Sequence, residues 1–427
     1  MAVYTRNTLA AISRHTKQKF VVLVEEQYGR QPELLAKGSI LLLPCFKAQP
    51  LQVFTQLSTA LRQFDQIDNI QLHSEFYHSG QLLQMLGLLP FLYYWRLQGK
   101  IISFVAHNVV HDFAFLRSLV GHEQPGWLLN LLSRLVPWYY RLLALGVEQF
   151  ITLDESIRQR LSSYLWQSDK VVGTHIWLRK KRASVTARQA MRRRLGLAQS
   201  DMVLAVFGFM SRYKGVDVLV QNFLRFKREF PQSRVKLLLA GGPAPSQQDK
   251  VSYQRFYRRL KRLASAHPDI ILTGFIPEQD LAGYMATTDV VLLPYQGILG
   301  ASASWSMVLE YARPCFFSTA LEPYLQATDV NSALQAAKLQ SSKFLFALDY
   351  PALHALFLKL STNQALIKQA SAFSRLLRTL RSEESSVFRD FPPLYFPRAA
   401  AQRVTVERTT TKAAAACYNV TDEEIVA

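Results

Sequence analysis

The stretch FGFMSRYKGVD, residues 207–217, joins an apolar run to a helix. MVLAVF (202–207) has the make-up of a buried parallel strand, and Val216, Leu219, Val220 and Phe223 then recur at helical spacing. Gly208 and Gly215 bracket the turn between them, and Arg212 and Lys214 lie within it. A strand that hands over to a helix leaves unpaired backbone N–H groups at a positive helix end, and two cations stand beside them here, so the turn suits a phosphate. An ordinary strand-to-helix corner with solvated basic side chains has the same appearance, and one such turn does not separate the two readings.

Outward from this turn, runs of the same character recur at 20–24, 40–43, 101–106, 235–239, 270–272 and 290–293, between longer helical patterns. Alternation of this kind predicts an α/β protein with a doubly wound parallel sheet in each half. A chain of 427 residues is too long for one core and fits about two domains. We expect a first Rossmann-like domain over 1–178, a basic linker over 179–199, a second Rossmann-like domain over 200–381 and a disordered tail over 382–427, where the composition turns polar and small. A doubly wound domain normally opens with a strand and a glycine turn, yet residues 1–15 already have an amphipathic helical pattern. The first strand is therefore expected to be missing, and no signal peptide is read there.

Lys and Arg outnumber Asp and Glu by 50 to 31, a formal charge of +19, which favours an anionic partner. Nucleic acid, an anionic membrane surface and a phosphorylated substrate all satisfy it. The three cysteines, Cys45, Cys315 and Cys417, match no metal spacing and read as free thiols of a reducing compartment or as core residues. Residues 174–195 hold Arg179, Lys180, Lys181, Arg182, Arg188 and Arg192 to Arg194 without an acid, a density suited to a solvated hinge or a polyanion contact. No interleaved aromatics or RNA-binding signature accompany it, so nucleic acid ranks behind a hinge or a membrane surface.

Two segments, QLLQMLGLLPFLYYWRL (81–97) and GWLLNLLSRLVPWYYRLLAL (126–145), are rich in Leu and aromatics. Pro90, Arg96, Arg134, Pro137 and Arg141 interrupt them, so neither offers the roughly 20 apolar residues of a membrane span. They read either as core helices or as faces lying on an anionic bilayer.

In the second half VKLLLAGGPAP (235–245), IILTGFIP (270–277) and the segment 289–318 are each a buried strand ending in Gly, Pro or small residues before a helix. Ligands of open α/β sheets bind outside the carboxyl ends of the strands, so these turns should converge on one crevice. FGFMSRYKGVDVLV, LLLAGG, LTGFIPEQDL and DVVLLPY, in that order and spacing over 202–319, resemble the nucleotide-sugar-binding domain of the GT-B glycosyltransferases of family 4. More weakly, VAHNVVHD (105–112), FITLDESIRQRL (150–161) and AVYTRNTLAAI (2–12) resemble parts of that family's acceptor domain.

The resemblance implies transfer of a sugar from a nucleoside diphosphate to a glycan or lipid-linked acceptor, with retention at the anomeric carbon and with neither cofactor nor metal. No Asp-x-Asp pair is present to hold a divalent ion. Without a metal, the charge on the leaving diphosphate has to be met by cations and backbone N–H groups. Arg212 and Lys214 match the family's basic pair, Lys214 the more closely. By the same resemblance, Gly208, Gly242, Tyr295, Gly300, Ser302 and Ser304 line the donor site. Phe275 matches the turn whose backbone reads the base, though it also suits a core aromatic. His107, at the end of the strand 101–106, faces the transferred sugar, with Asn108, His111 and Asp112 as neighbours; Glu75, near His73 and His78, is a possible acceptor contact. The family's paired glutamates would fall at Leu299 and Met307, and Glu310 is out of register, which leaves the ribose contacts open. The expected setting is the cytoplasm, peripheral to the inner face of a plasma membrane. A non-catalytic sugar-nucleotide- or glycan-binding relative and, behind it, a nucleic-acid-binding protein are the alternatives.

Overall fold

The computed structural model of the protein describes residues 8, 9, 12, 19–26, 31–47, 49, 52–64, 66–74, 81–110, 113 and 126–382. Of the expected amino-terminal helix only Thr8, Leu9 and Ile12 are described, all helical and buried. Glu75, His78, His111, Asp112, Cys417 and all of the expected tail but Ser382 lie outside the described residues.

All seven apolar runs are strands, and each half is built on parallel pairing. The chain runs through β1 (Phe20–Glu25), β2 (Glu33–Leu35), β3 (Ile40–Phe46), β4 (Asn69–Ser74), β5 (Ile101–Ala106), β6 (Gln149–Thr152) and β7 (Val171–Gly173). The second half holds β8 (Met202–Phe207), β9 (Val235–Ala240), β10 (Ile270–Leu272), β11 (Val290–Leu293), β12 (Cys315–Ser318) and β13 (Leu345–Phe346).

In the second half six parallel strands are ordered β10-β9-β8-β11-β12-β13, so the order reverses between β8 and β11. Residues 203–207 and 290–293 are buried, as strands covered on both faces by helices require. The helix Val216–Glu229 lays Leu219, Val220, Phe223 and Phe226 on this sheet, and the helices Tyr350–Thr362 and Gln364–Leu380 pack into the same core.

The first half is not one continuous sheet among the described residues. Its strands pair as β4-β5-β6-β7, all parallel, and separately as β1-β3-β2, with β2 antiparallel to β3. The helices Gln81–Leu97 and Gly126–Gly146 bury one face each against β5 and β6, through Leu92, Trp95, Tyr140 and Leu143. Their other faces are exposed, so the core-helix reading holds for one face of each helix. Among the described residues no helix is long and apolar enough to cross a membrane.

The basic segment is not a solvated hinge. Residues 185–194 form a helix, capped by Ser184, that docks on the second domain. Arg192 is fully buried: its guanidinium donates to the carbonyls of Ala198, Asp201 and Thr287 at 2.6 to 3.2 Å and faces Asp289 at 3.7 Å. Arg188 pairs with Asp289 at 2.8 Å and Arg194 with Asp280 at 3.1 Å. Three of the eight basic residues that suggested a polyanion contact, Arg188, Arg192 and Arg194, hold this helix in place. Beyond the last helix, Leu178 N donates to Arg381 O at 2.9 Å, which ties the end of the second domain to the connection.

Candidate functional site

The crevice lies at the carboxyl ends of the strands, where the order of an open sheet reverses. Gly208 ends β8 at φ +97°, a conformation L side chains avoid, and Gly215 turns the chain into its helix at φ +63°. Both positions are also sterically closed to larger residues. A methyl on Gly208 would lie 2.7 Å from Ser304 Oγ and 2.8 Å from Lys214 Nζ, and one on Gly215 would lie 2.0 Å from Pro294 O.

Gly208, Lys214 and Ser304 therefore meet at one point. Lys214 is only 6% exposed, and its ammonium donates to Ser304 Oγ at 3.1 Å and lies 5.8 Å from the Tyr295 ring centre. Ser304 belongs to the first turn of the helix Ala303–Glu310. Ser302 caps that helix, accepting from Trp305 N at 3.1 Å, and its hydroxyl also meets Tyr295 Oη at 3.1 Å. A buried cation, a helix amino end and an open glycine turn face the same space, which is the chemistry of an anion site.

Arg212 stands apart from this cluster. Its guanidinium donates to Ser252 O at 3.2 Å and lies 5.6 Å from the Phe256 ring centre, so it braces the helix Val251–Ala264 while Lys214 points at Ser304. Arg212 and Lys214 are two apart in a 3-10 turn, in which such residues do not share a face.

Gly242 and Phe275 meet through their backbones, since a methyl on Gly242 would lie 2.9 Å from Phe275 N. Phe275 is 72% exposed and is no part of the core, against the alternative that it packs inside. Gly300 reaches the first half: it forms an antiparallel bridge with Asn108, and a methyl there would lie 2.5 Å from His107 O. Tyr324 Oη donates to Gly300 O and its ring stacks on Trp305, which fixes this loop from behind. The loop thus brings the Ser302–Ser304 turn and the end of β5 together.

His107 is paired with a residue whose part the sequence did not disclose. β4 and β5 run parallel with His73 opposite Val105, which places the two rings side by side at the carboxyl ends. His73 Nδ1 and His107 Nε2 are 3.1 Å apart, and Gln71 Oε1 is 3.1 Å from His73 Nε2. With the amide oxygen accepting from His73 Nε2, His73 Nδ1 accepts from His107 Nε2, and Nδ1 of His107 is the unprotonated nitrogen. Burial pushes His73 down to about 4; burial first and then His73 push His107 down to about 2. Both imidazoles are neutral at pH 7, hydrogen-bonding groups rather than cations. Tyr213 was also missed: between Arg212 and Lys214, it packs against the first domain's core and edge-on to Tyr295 at 5.5 Å.

The out-of-register Glu310 is taken up elsewhere, by Lys181 Nζ at 3.1 Å and Arg179 N at 3.3 Å. Leu299 and Met307 are partly buried in the two cores. Among the described residues no group of three or more His, Cys, Asp or Glu is placed to hold a metal ion.

The fold is GT-B, two Rossmann-like domains facing across a crevice. The chain resembles sucrose-phosphate synthase from Thermosynechococcus elongatus at 14% identity and a TM-score of 0.65, covering 93% of each chain. It also resembles Anabaena HepE, solved in complex with UDP-glucose, at 13% identity and a TM-score of 0.57, over 86% of this chain and 96% of that one. Within this fold residues 201–312, which hold Gly208, Lys214, Tyr295 and Ser304, match the family described as glycosyl transferases group 1. A stretch of 108 residues is 27% identical to D-inositol 3-phosphate glycosyltransferase from Corynebacterium kroppenstedtii; it spans 25% of this chain and about a quarter, 23%, of that relative.

Proposed function

We propose that the protein is a glycosyltransferase of the family 4 type, moving a sugar with retention from a nucleoside diphosphate to a glycan or lipid-linked acceptor without a metal ion. The observation that carries this reading is the convergence of Lys214, Gly208 and Ser304 at the point where the strand order of the second sheet reverses, inside the segment that matches the group 1 enzymes. The Anabaena relative bound to UDP-glucose supports a nucleotide sugar as donor.

In this reading the donor's diphosphate lies against Lys214 and the amino end of the helix Ala303–Glu310. The bond from the anomeric carbon to the phosphate oxygen breaks, and the acceptor oxygen bonds to that carbon from the same face. The acceptor's proton leaves with the diphosphate. Lys214 and the helix end meet the developing charge, a contribution of about 2.7 to 4 kcal/mol for one such donor. The neutral His107, set by His73, hydrogen-bonds the transferred sugar.

The acceptor side has its own support. Trp127 (70% exposed), Leu131, Leu135, Trp138 (55%), Leu142 and Leu145 form one exposed stripe of the helix Gly126–Gly146, which carries Arg134 and Arg141 and no acid. Trp166 extends it, edge-on to Trp138 at 6.1 Å with Arg141 over both rings. A basic, tryptophan-bearing apolar face of this kind suits an anionic bilayer. Because the helix precedes β6, it begins at the crevice end of the sheet, so a membrane under the stripe lies beside the acceptor side of the site. Vesicle co-sedimentation tests this part: Trp127→Ser with Trp138→Ser should weaken binding to anionic vesicles by about tenfold or more, and equal sedimentation of variant and parent contradicts it.

A non-catalytic sugar-nucleotide-binding relative is the second reading, favoured by the apolar Leu299 and Met307 and by the engagement of Glu310 with the connection. Incubation with UDP- and GDP-sugars separates the two. Slow release of nucleoside diphosphate supports the transferase, and binding without release supports the relative.

A further inference from the structure

We propose that the second domain carries another ligand site, at the amino ends of its strands, that takes a phosphate monoester of a small organic molecule. A cavity of about 790 Å³ opens there, bordered by Met202 and Val235, where β8 and β9 begin, and by Asp289 and Pro314, which immediately precede β11 and β12. Six-residue strands place it roughly 20 Å from the crevice at their other ends, so it is no extension of the donor site.

Its charge is unbalanced towards cations. Arg188, Arg234, Arg313 and Lys368 line it against Asp201 and Asp289. Both acids are already engaged: Asp289 pairs with Arg188 and accepts from Val203 N at 2.8 Å, and Asp201 accepts from Ala198 N at 2.8 Å. Arg313 is less well met. Its Nε is buried without a hydrogen bond, and burial first, then the charge of Arg188, weigh against its own charge, with the charge of Asp289 only partly opposing them. An arginine stays protonated under such pressure, so the group that relieves it is an incoming anion.

The rest of the lining sets the kind of anion. Ser361 and Gln364 offer hydrogen bonds, while Pro314, Leu358 and Ile367 supply an apolar wall. The volume lies within the usual range for small-molecule sites and is far larger than one phosphate needs. A phosphate held by Arg313, Arg234 and Lys368 with an organic body against that wall uses the whole cavity. Arg188 comes from the helix after the inter-domain connection and Lys368 from the helix that returns to it, so the cavity lies between those two elements.

Calorimetric titration of the full chain with glucose 6-phosphate and adenosine 5′-monophosphate tests this, with glucose, adenosine and inorganic phosphate as controls. At least one ester should bind saturably and more tightly than inorganic phosphate, and its uncharged counterpart should not bind. The exposed double variant Arg234→Ser, Lys368→Ser should weaken that ester about tenfold or more, Arg313→Gln should do the same, and Lys214→Ala should leave it unchanged. The proposal is overturned if neither ester binds below about 10 mM, if the double variant binds as the parent does, or if Lys214→Ala abolishes binding, which would place the ester in the donor crevice.

Discussion

Gly208 and Lys214 carry the site between them, one by having no side chain and the other by reaching the space this leaves. An alanine at 208 would meet Ser304 Oγ and Lys214 Nζ within 3 Å at a φ that already disfavours it. Strain of about 1 to 3 kcal/mol is expected, so Gly208→Ala should lower both the urea midpoint and nucleotide affinity by calorimetry. Wild-type affinity in that variant would remove the anion site from this corner. The histidine pair gives a pH signature. Both folded values are depressed below the ordinary 6.5, so the unfolded chain takes up protons first as pH falls. Stability from this source is complete above about pH 6.5 and declines towards pH 4, by at most about 1.4 kcal/mol per pH unit for each ring. His73→Gln with His107→Gln should flatten the urea midpoint between pH 7 and 5; an unchanged slope contradicts the buried neutral pair. Lys214 was legible because its turn stands in register with three further motifs of the resembled family, since the turn alone also fits a solvated corner. His73 was not, since its partner is 34 residues away and only the β4–β5 register joins them.

At the scale of elements, the helix Val185–Arg194 shows what composition conceals. Its basic residues count as surface charge in the sequence, yet Arg192 is wholly buried among carbonyls. Replacing it with Met should leave those acceptors unsatisfied and destabilise the second domain by about 3 kcal/mol, read as a fall in the urea midpoint; a neutral outcome would restore the solvated-hinge reading. Periodicity could not reveal this, because an arginine that folds onto the backbone obeys the same spacing as one in water. The seven runs were legible since each is apolar but for Ser103 in β5 and Lys236 in β9, the mark of parallel strands covered on both faces. β2, β7 and β13 hold two or three residues each and offer no period to read, and β4, NIQLHS, carries the period-2 alternation of a half-buried strand but not the apolar run by which the others were found. The helix Gly126–Gly146 was readable as amphipathic, but which face met the core depended on β5 and β6.

Across the whole molecule, the four second-half motifs converge on the proposed donor side, and contacts between the halves complete the candidate site. The Asn108–Gly300 bridge brings the end of β5 against the loop that precedes the Ser302 cap, with Tyr324 behind it. Widening this junction by Gly300→Val should spare nucleotide binding and reduce turnover on the order of a hundredfold, measured as kcat against Kd; parallel loss of both would mean only that the loop had unfolded. None of this junction was legible, because its partners lie some 190 residues apart in the chain. The central claim, that Lys214 receives a departing diphosphate, is tested most directly by release of nucleoside diphosphate from a panel of UDP- and GDP-sugars by the parent and by Lys214→Ala at equal folded concentration. The account predicts release by the parent from at least one donor and a loss of about a hundred to a thousandfold in the variant. Equal release by both, or none by the parent, would contradict it.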